Sequence, residues 1–170
     1  ATRGSTSTSR PAPGAGRGLP ERALSRHPVL ERRIGHRFRD AALLEQSLTH
    51  RSFGSPHNER LEFLGDSVLG CVIAEELFAR FPQLPEGKLT RLRASLVREE
   101  ALAEIARRID LSKSLRLGDA AIGQGADVRP SILADALEAL FGAVLIDGGY
   151  PAARGAILAA FGEALHRLDP

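Results

Sequence analysis

The sequence predicts an all-α domain, and three observations support this class. From Pro28 onward, apolar residues recur at the spacing of helices, and no alternation typical of a strand lasts longer than a few residues. Proline and glycine divide this pattern into segments of helical length. The chain has 170 residues, 43% of them hydrophobic, which suits one domain with a substantial core and leaves little room for a second.

The first elements follow from their end signals. A short helix over about 28–35 stops at a glycine, and a second begins at Asp40, a suitable N-cap, and reaches Thr49. The segment 50–58 contains glycine, proline and polar residues and is therefore a loop. Asn58, at its end, is a suitable N-cap for the long helix that follows.

Four further helices complete the predicted domain. They are separated by connectors rich in proline or glycine, at 82–87, 118–130 and 148–149. The expected helices are 59–80, 88–109, 131–146 and 151–167.

The amino-terminal residues differ in composition from the rest. Residues 1–20 hold Ser, Thr, Gly, Pro and three Arg with almost nothing to bury, so we expect a disordered tail before a folded domain over 21–168. This composition also resembles an organelle transit peptide, although no amphipathic apolar face accompanies it.

Cysteine content and hydropathy narrow the class of protein. Cys71 is the single cysteine, which excludes a disulfide-stapled fold and favours a reducing, cytoplasmic compartment. Because it lies in an apolar run, we expect it to be a small buried hydrophobe. No apolar run approaches the roughly 20 residues of a membrane span, so no membrane partner is expected.

The charge is unevenly distributed. The three arginines of residues 1–20 leave the remainder with 20 basic and 21 acidic side chains, so the folded part is not a basic clamp. If it binds nucleic acid, bound cations or a local basic patch must offset the phosphate charge. Aromatic residues are only 5% and tryptophan is absent, which disfavours a platform for stacking single-stranded bases.

Acidic residues interrupt the two most apolar of these helices. They recur at intervals of three or four, which places them on one face of each helix. The residues are Glu59, Glu62 and Asp66 in the helix over 59–80, and Asp135 and Glu138 in the helix over 131–146. Like charges one turn apart repel, and burial increases the cost, so the arrangement is unfavourable without a cation or strong donors nearby.

Two interpretations of these acids remain open at this point. If the two helices meet face to face, the carboxylates enclose an all-oxygen site that suits Mg²⁺ or Mn²⁺ rather than Zn²⁺, and such an ion supports phosphodiester hydrolysis. Alternatively, the acids lie on the solvated faces of amphipathic helices, which is the usual place of Glu and Asp. The spacing alone does not decide between them.

Four blocks of the sequence resemble the ribonuclease III family. The string NERLEFLGDSVLG at 58–70 is very similar to the family signature, and three supporting blocks occur in the family's order. These blocks are LTHRS at 48–52, LTRLRASLV at 89–97 and SILADALEALFGA at 131–143. The resemblance covers about residues 28–168, the whole endonuclease domain of the family, and implies a helical bundle that forms a homodimer.

The resemblance also implies a catalytic centre. Its metal-binding carboxylates match Glu62, Asp66, Asp135 and Glu138. Of these, Asp66 and Glu138 match the residues with a direct catalytic role, and the implied ion is Mg²⁺, for which Mn²⁺ can substitute. No organic cofactor is implied. Gly65 and Gly70 are expected to permit close helix packing around the acids.

Other residues receive supporting roles. Glu59 and Glu86 match family acids that act in RNA positioning and around the cleavage site. The alternatives are a first-turn acid that favours the helix dipole for Glu59, and an ordinary acid of a loop or helix start for Glu86. Asn58 is expected to approach the RNA besides capping its helix. Phe63 matches the residue that inserts into the partner subunit, the alternative being an ordinary core phenylalanine. In the block 48–52, threonine, histidine and serine are expected to support the site by hydrogen bonds at a helix end.

The activity implied by the resemblance is hydrolysis of double-stranded RNA. Two sites across the dimer cut both strands and leave 5′-phosphate and 3′-hydroxyl ends with a short 3′ overhang, with ribosomal and messenger RNA precursors as the implied targets. Family members commonly continue into a double-stranded-RNA-binding domain, which these 170 residues lack, so we expect this domain alone to bind RNA weakly.

Two other functions compete with this one. A non-cleaving RNA-binding dimer of the same fold would lack at least one metal ligand, and all four are present. A helical metallophosphohydrolase that acts on small phosphates is disfavoured, because the chain contains no His–Asp dipeptide and no DDxxD cluster.

Overall fold

Helices account for almost all regular structure in the computed structural model, which describes residues 25–121 and 127–168. The predicted tail over 1–20 lies outside these residues. The helices are α1 (Pro28–Ile34), α2 (Ala41–Ser47), α3 (Glu59–Arg80), α4 (Glu86–Val97), α5 (Glu99–Arg108) and α6 (Pro130–His166), with 3-10 turns at Leu111–Ser114 and Asp119–Ala121. The all-α class is confirmed for this part of the chain, and none of these helices is long and apolar enough to cross a membrane.

The core is organised around the crossing of α3 and α6, where the two backbones touch. A Cβ atom added at Gly65 would stand 1.7 Å from the carbonyl oxygen of Glu138, and one at Gly142 would stand 2.2 Å from that of Leu61. Glycine is therefore required at both positions. The expectation for Gly65 is confirmed, whereas that for Gly70 is wrong, because nothing lies within 4 Å of a Cβ built there.

The remaining helices pack around α6. Helices α1, α2 and α5 all contact it, and the centre of α6 is buried on every side. Fully enclosed side chains of this core include Leu69 and Ile73 from α3, and Leu137, Leu140 and Phe141 from α6. This packing leaves the amino-terminal turns of α3 and α6 near the surface.

The predicted helix over 88–109 is wrong, because the chain forms two helices there. Arg98 adopts an extended conformation, with φ −68° and ψ 154°, and separates α4 from α5. Helix α5 buries Leu102 and Ile105 against the core, whereas α4 buries only Leu96, so the break lets α5 turn onto α6. Tertiary packing outweighs the weak preference of this segment for a continuous helix.

Of the two predicted N-caps, one is confirmed and one is wrong. The side chain of Asp40 accepts hydrogen bonds from the backbone N–H groups of Ala42 and Leu43. Asn58 already has helical dihedral angles, and its side chain makes no cap hydrogen bond. Its amide instead donates to the carbonyl of Ser47 at 3.4 Å, which ties the start of α3 to the end of α2.

The predicted stop at Gly148 and Gly149 is confirmed as a kink that divides α6 into two arms. Gly149 has φ 79° and ψ 179°, outside the helical range. Beside the kink, the Asp147 carboxylate, only 3% exposed, accepts hydrogen bonds from the backbone of Arg39 and Asp40 and from Nε2 of His36. Burial raises the pKa of Asp147, but these hydrogen bonds outweigh it and leave the pKa below its usual value.

We expect Gly65→Ala to lower the free energy of unfolding by about 1–3 kcal/mol, because the added methyl group would clash with the backbone of α6. Gly155→Ala is the matched control: this glycine lies on an exposed part of α6 with nothing within 4 Å of its Cβ position. The control should gain about 0.5–1 kcal/mol from the lower flexibility of alanine in a helix. Urea denaturation measures both free energies of unfolding. Unchanged stability in Gly65→Ala would contradict the backbone contact.

Candidate metal centre

Three carboxylates meet where α3 and α6 cross. Oxygen atoms from Glu62, Asp135 and Glu138 all lie within 4.8 Å of one another, and each side chain is partly buried. Glu62 lies one turn before Gly65 on α3, and Glu138 supplies the carbonyl that Gly65 touches. The backbone contact at Gly65 therefore holds the three carboxylates together.

The electrostatic environment opposes ionisation of all three carboxylates. Burial raises the pKa of Glu138 to about 8, with further increases from the charges of Asp66, Glu62 and Asp135. Burial is also the largest cause of the raised pKa values of Glu62 and Asp135, and in both cases the positive charge of Arg51 opposes the increase. A cation at this point would relieve the repulsion, so the donor set fits a hard divalent ion.

Asp66, the fourth predicted ligand, lies at the edge of this group. Its side chain is exposed, and it does not belong to the three residues whose oxygen atoms meet. Its charge nevertheless raises the pKa of both Glu62 and Glu138, so it lies within electrostatic reach of the cluster. The structure thus brings three of the four predicted carboxylates together and places Asp66 beside them.

A groove of about 470 Å³ opens next to the carboxylates, between the amino ends of α3 and α6. Two of the predicted RNA-positioning residues, Glu59 and Asn58, line it together with Glu62 and Asp135. Glu59 forms an ion pair with Arg51 at 3.2 Å.

Hydrogen bonds of the block 48–52 support one wall of the groove. Thr49 Oγ1 donates to the carbonyl of Glu45, and Ser52 Oγ accepts from the backbone N–H of Gly118. These bonds are 2.7 and 2.9 Å long.

Glu86 is not brought to the three carboxylates within one chain. It lies in the first turn of α4, where its carboxylate accepts a hydrogen bond from Thr90 at 2.6 Å. It lines a separate, mostly apolar groove between α3 and α4, together with Phe78 and Leu89.

The apolar surface of α3 is only partly covered. Phe63 is 78% exposed, which excludes the alternative of an ordinary core phenylalanine in the isolated chain. Phe78, which sequence reasoning missed, is 74% exposed on the same helix. Cys71 is exposed as well, so its prediction as a buried residue is wrong. The signal that could have found Phe78 is the apolar character of α3 on nearly all sides, which one core cannot cover.

Sequence reasoning also missed two arginines in the groove. Arg51 belongs to the LTHRS block, and Arg129 directly precedes the proline that begins α6. Both line the groove beside the carboxylates. Their position next to predicted site residues was the available signal.

Comparison with known proteins gives results consistent with this geometry. A sequence profile described as Ribonuclease-III-like matches residues 40–164. A protein named Ribonuclease 3 from Bordetella pertussis is 57% identical over 142 residues, which cover 84% of this chain and 56% of the relative. Another Ribonuclease 3, from Aromatoleum aromaticum, is 54% identical over 83% of this chain and 63% of its own length. The chain thus spans little more than half the length of these relatives.

Solved structures agree with the sequence comparison. The nuclease domain of a ribonuclease III from Campylobacter jejuni matches with a TM-score of 0.79 and 39% identity, and covers 86% of this chain and 100% of that domain. A second structure of that nuclease domain, described as flexible in a region involved in dimer formation, matches with a TM-score of 0.77 and 40% identity over 81% of this chain and 96% of its own.

We expect Glu138→Gln to stabilise the metal-free domain at pH 8 and above. The folded pKa of about 8 exceeds the ordinary value of 4.5, so the stability contributed by protonated Glu138 is lost as pH rises through the folded pKa. Removing the charge should then raise stability by about 1–3 kcal/mol, after allowance for solvent screening. Thermal unfolding in EDTA between pH 5 and pH 9 tests this, with the exposed Glu104→Gln as control. A gain that is equal at both ends of this range would contradict the burial of the charge.

Proposed function

The chain belongs to the ribonuclease III family, and from this premise we propose that it is a metal-dependent endonuclease domain acting on double-stranded RNA. The observation that carries the proposal is the meeting of Glu62, Asp135 and Glu138 at the crossing of α3 and α6. An all-oxygen group of partly buried carboxylates beside an open groove suits phosphodiester hydrolysis better than it suits a structural role.

Mg²⁺ is the ion we assign to this centre, with Mn²⁺ as a substitute. Glu62, Asp135 and Glu138 would hold it, with Asp66 at the edge as the fourth ligand, because oxygen donors are preferred by both ions. When bound, such an ion polarises a phosphoryl oxygen and increases the acidity of water. The contact at Gly65 keeps the carboxylates in place, so little reorganisation is needed on binding.

The reaction we assign is the addition of water across a phosphodiester bond of the RNA backbone. The products are a 5′-phosphate and a 3′-hydroxyl, and cuts in both strands leave a short 3′ overhang. The groove beside the carboxylates is open to solvent and offers Glu59 for positioning the backbone. Asn58 is buried, and its amide donates to the carbonyl of Ser47, so it supports the wall of the groove. We assign ribosomal and messenger RNA precursors as targets on the basis of family membership alone.

A second copy of the chain is the partner we propose for the exposed face of α3. An exposed phenylalanine leaves a large apolar area in water, and α3 exposes two, Phe63 and Phe78. The apolar groove between α3 and α4, about 360 Å³, is of a size that can receive a phenylalanine of the second copy. Dimer formation would also bring Glu86, on the rim of that groove, to the interface.

A non-cleaving RNA-binding dimer is the alternative function. It requires a defective centre, and the convergence of three carboxylates weighs against this. Cleavage assays separate the two functions directly.

Glu138→Gln should abolish cleavage of an RNA duplex in Mg²⁺, because it removes one of the proposed carboxylate ligands. The fold should stay intact, because the substitution removes a buried charge without changing the size of the side chain. The assay compares the wild-type chain and the variant on duplex RNA at low salt, with EDTA, single-stranded RNA and duplex DNA as controls. Wild-type protein should convert only the RNA duplex to short fragments with 5′-phosphates. An intact duplex with a folded, metal-binding wild-type protein would favour the non-cleaving alternative, and turnover by the variant would refute the role of Glu138.

Phe63→Ala should shift the protein from dimer towards monomer in sedimentation, because the dimer would lose a buried aromatic side chain worth about 3–5 kcal/mol when truncated. Phe53→Ala is the control, since Phe53 is also exposed but lies on the loop between α2 and α3, under the guanidinium of Arg116. A sedimentation mass that does not change in Phe63→Ala would show that Phe63 is not part of the dimer interface.

A further inference from the structure

Two arginines share the groove with the candidate metal ligands, and the proposed function leaves both unassigned. Arg51 lies on the loop between α2 and α3, and Arg129 lies at the start of α6. Each lines the groove that also contains Glu59, Glu62 and Asp135. Any ligand that fills this groove therefore contacts both the basic and the acidic side chains.

Within the part of the chain that the structure describes, the only side-chain hydrogen bond or ion pair of Arg51 is an exchangeable one. Its side chain is 71% exposed and pairs with Glu59 at 3.2 Å, an ion pair in solvent that contributes little to stability. Its charge also acts on Glu62 and Asp135, since it lowers the pKa of both carboxyls. The guanidinium thus stands close to the carboxylates and can leave Glu59 without disturbing the core.

Arg129 lines the same groove from the residue that directly precedes α6. It is exposed and, among the described residues, makes no ion pair. Six residues separate it from Asp135, which is about 9 Å of helical rise. A ligand that contacts both Arg129 and the carboxylate centre must therefore be longer than a single phosphate.

The charge of the groove also favours a polyanion once a metal ion is present. The two arginines face three carboxylates in the lining, so the groove is slightly negative by itself, and a divalent ion reverses the sign. The body of the chain, with 20 basic and 21 acidic side chains over residues 21–170, supplies no general attraction for RNA. Local contacts must therefore hold the backbone.

We propose that Arg51 and Arg129 are positioning residues that bind backbone phosphates of the RNA duplex next to the one that reaches the carboxylates. This inference rests on the proposed function and adds to it the contacts that orient the substrate. A guanidinium binds phosphate through two parallel hydrogen bonds, which fixes orientation as well as charge. On binding, Arg51 would replace its ion pair with Glu59 by a contact with a backbone phosphate, and Arg129 would form an ion pair with another phosphate.

Salt dependence of binding tests the proposal without relying on cleavage. Arg51→Ala and Arg129→Ala are each made in the wild-type chain, so that all the carboxylates stay available to a divalent ion. The affinity for one RNA duplex is measured by fluorescence anisotropy over a range of salt, with Ca²⁺ in place of Mg²⁺. Loss of one phosphate contact should reduce the slope of log K against log [salt] by about 1, with weaker binding to every sequence. Arg107→Ala, an exposed arginine on α5 outside the groove, should leave the slope unchanged.

Lysine variants separate a phosphate contact from a structural role. Arg51→Lys and Arg129→Lys keep the charge, so they should restore the slope while binding more weakly than arginine, which alone makes two parallel hydrogen bonds. An unchanged slope in an alanine variant overturns the assignment for that arginine, even if the wild-type chain binds RNA. Absence of duplex binding by the wild-type chain at the lowest salt overturns the proposed function, and this inference with it.

Discussion

The direct contact between the backbones of α3 and α6 positions both the core and the carboxylates. Gly65 touches the carbonyl of Glu138, and Gly142 touches the carbonyl of Leu61, so the two backbones are in direct contact at two points. Such a contact fixes rotation and translation of one helix against the other. Because Glu62 and Asp135 lie one turn before the contact residues, their carboxylates necessarily emerge on the same side, beside that of Glu138.

This geometry creates an electrostatic repulsion that either protonation or a bound cation relieves. Helices held by backbone contact cannot separate to let the carboxylates diverge, and burial removes the water that would screen them. The raised pKa values of Glu62, Asp135 and Glu138 reflect this burial and repulsion. A cation between the carboxylates would relieve this repulsion, and the same stiffness that concentrates the charge keeps the three side chains in place for it.

Sequence and structure agree best where elements have strong end signals. Asp40 caps α2, and Gly149 breaks α6, as their residue types predict. The break at Arg98 carries no such signal, since neither proline nor glycine is present, and it arises because α5 must turn to bury its apolar face. Asn58 has a capping side chain but uses it to bind the end of α2, a partner that local sequence does not reveal.

The helical class, the limits of most helices and the acids that share a face on each helix can all be read from the sequence. These properties depend on interactions within a few residues, so periodicity and end signals suffice to read them. The folded domain was needed to learn that Glu62 meets Asp135 and Glu138 and that Asp66 lies at the edge. It was also needed to find that Glu86 lines another groove and that Phe63 faces solvent. These outcomes depend on which faces of distant helices come together, and that is set by packing between residues far apart in the chain.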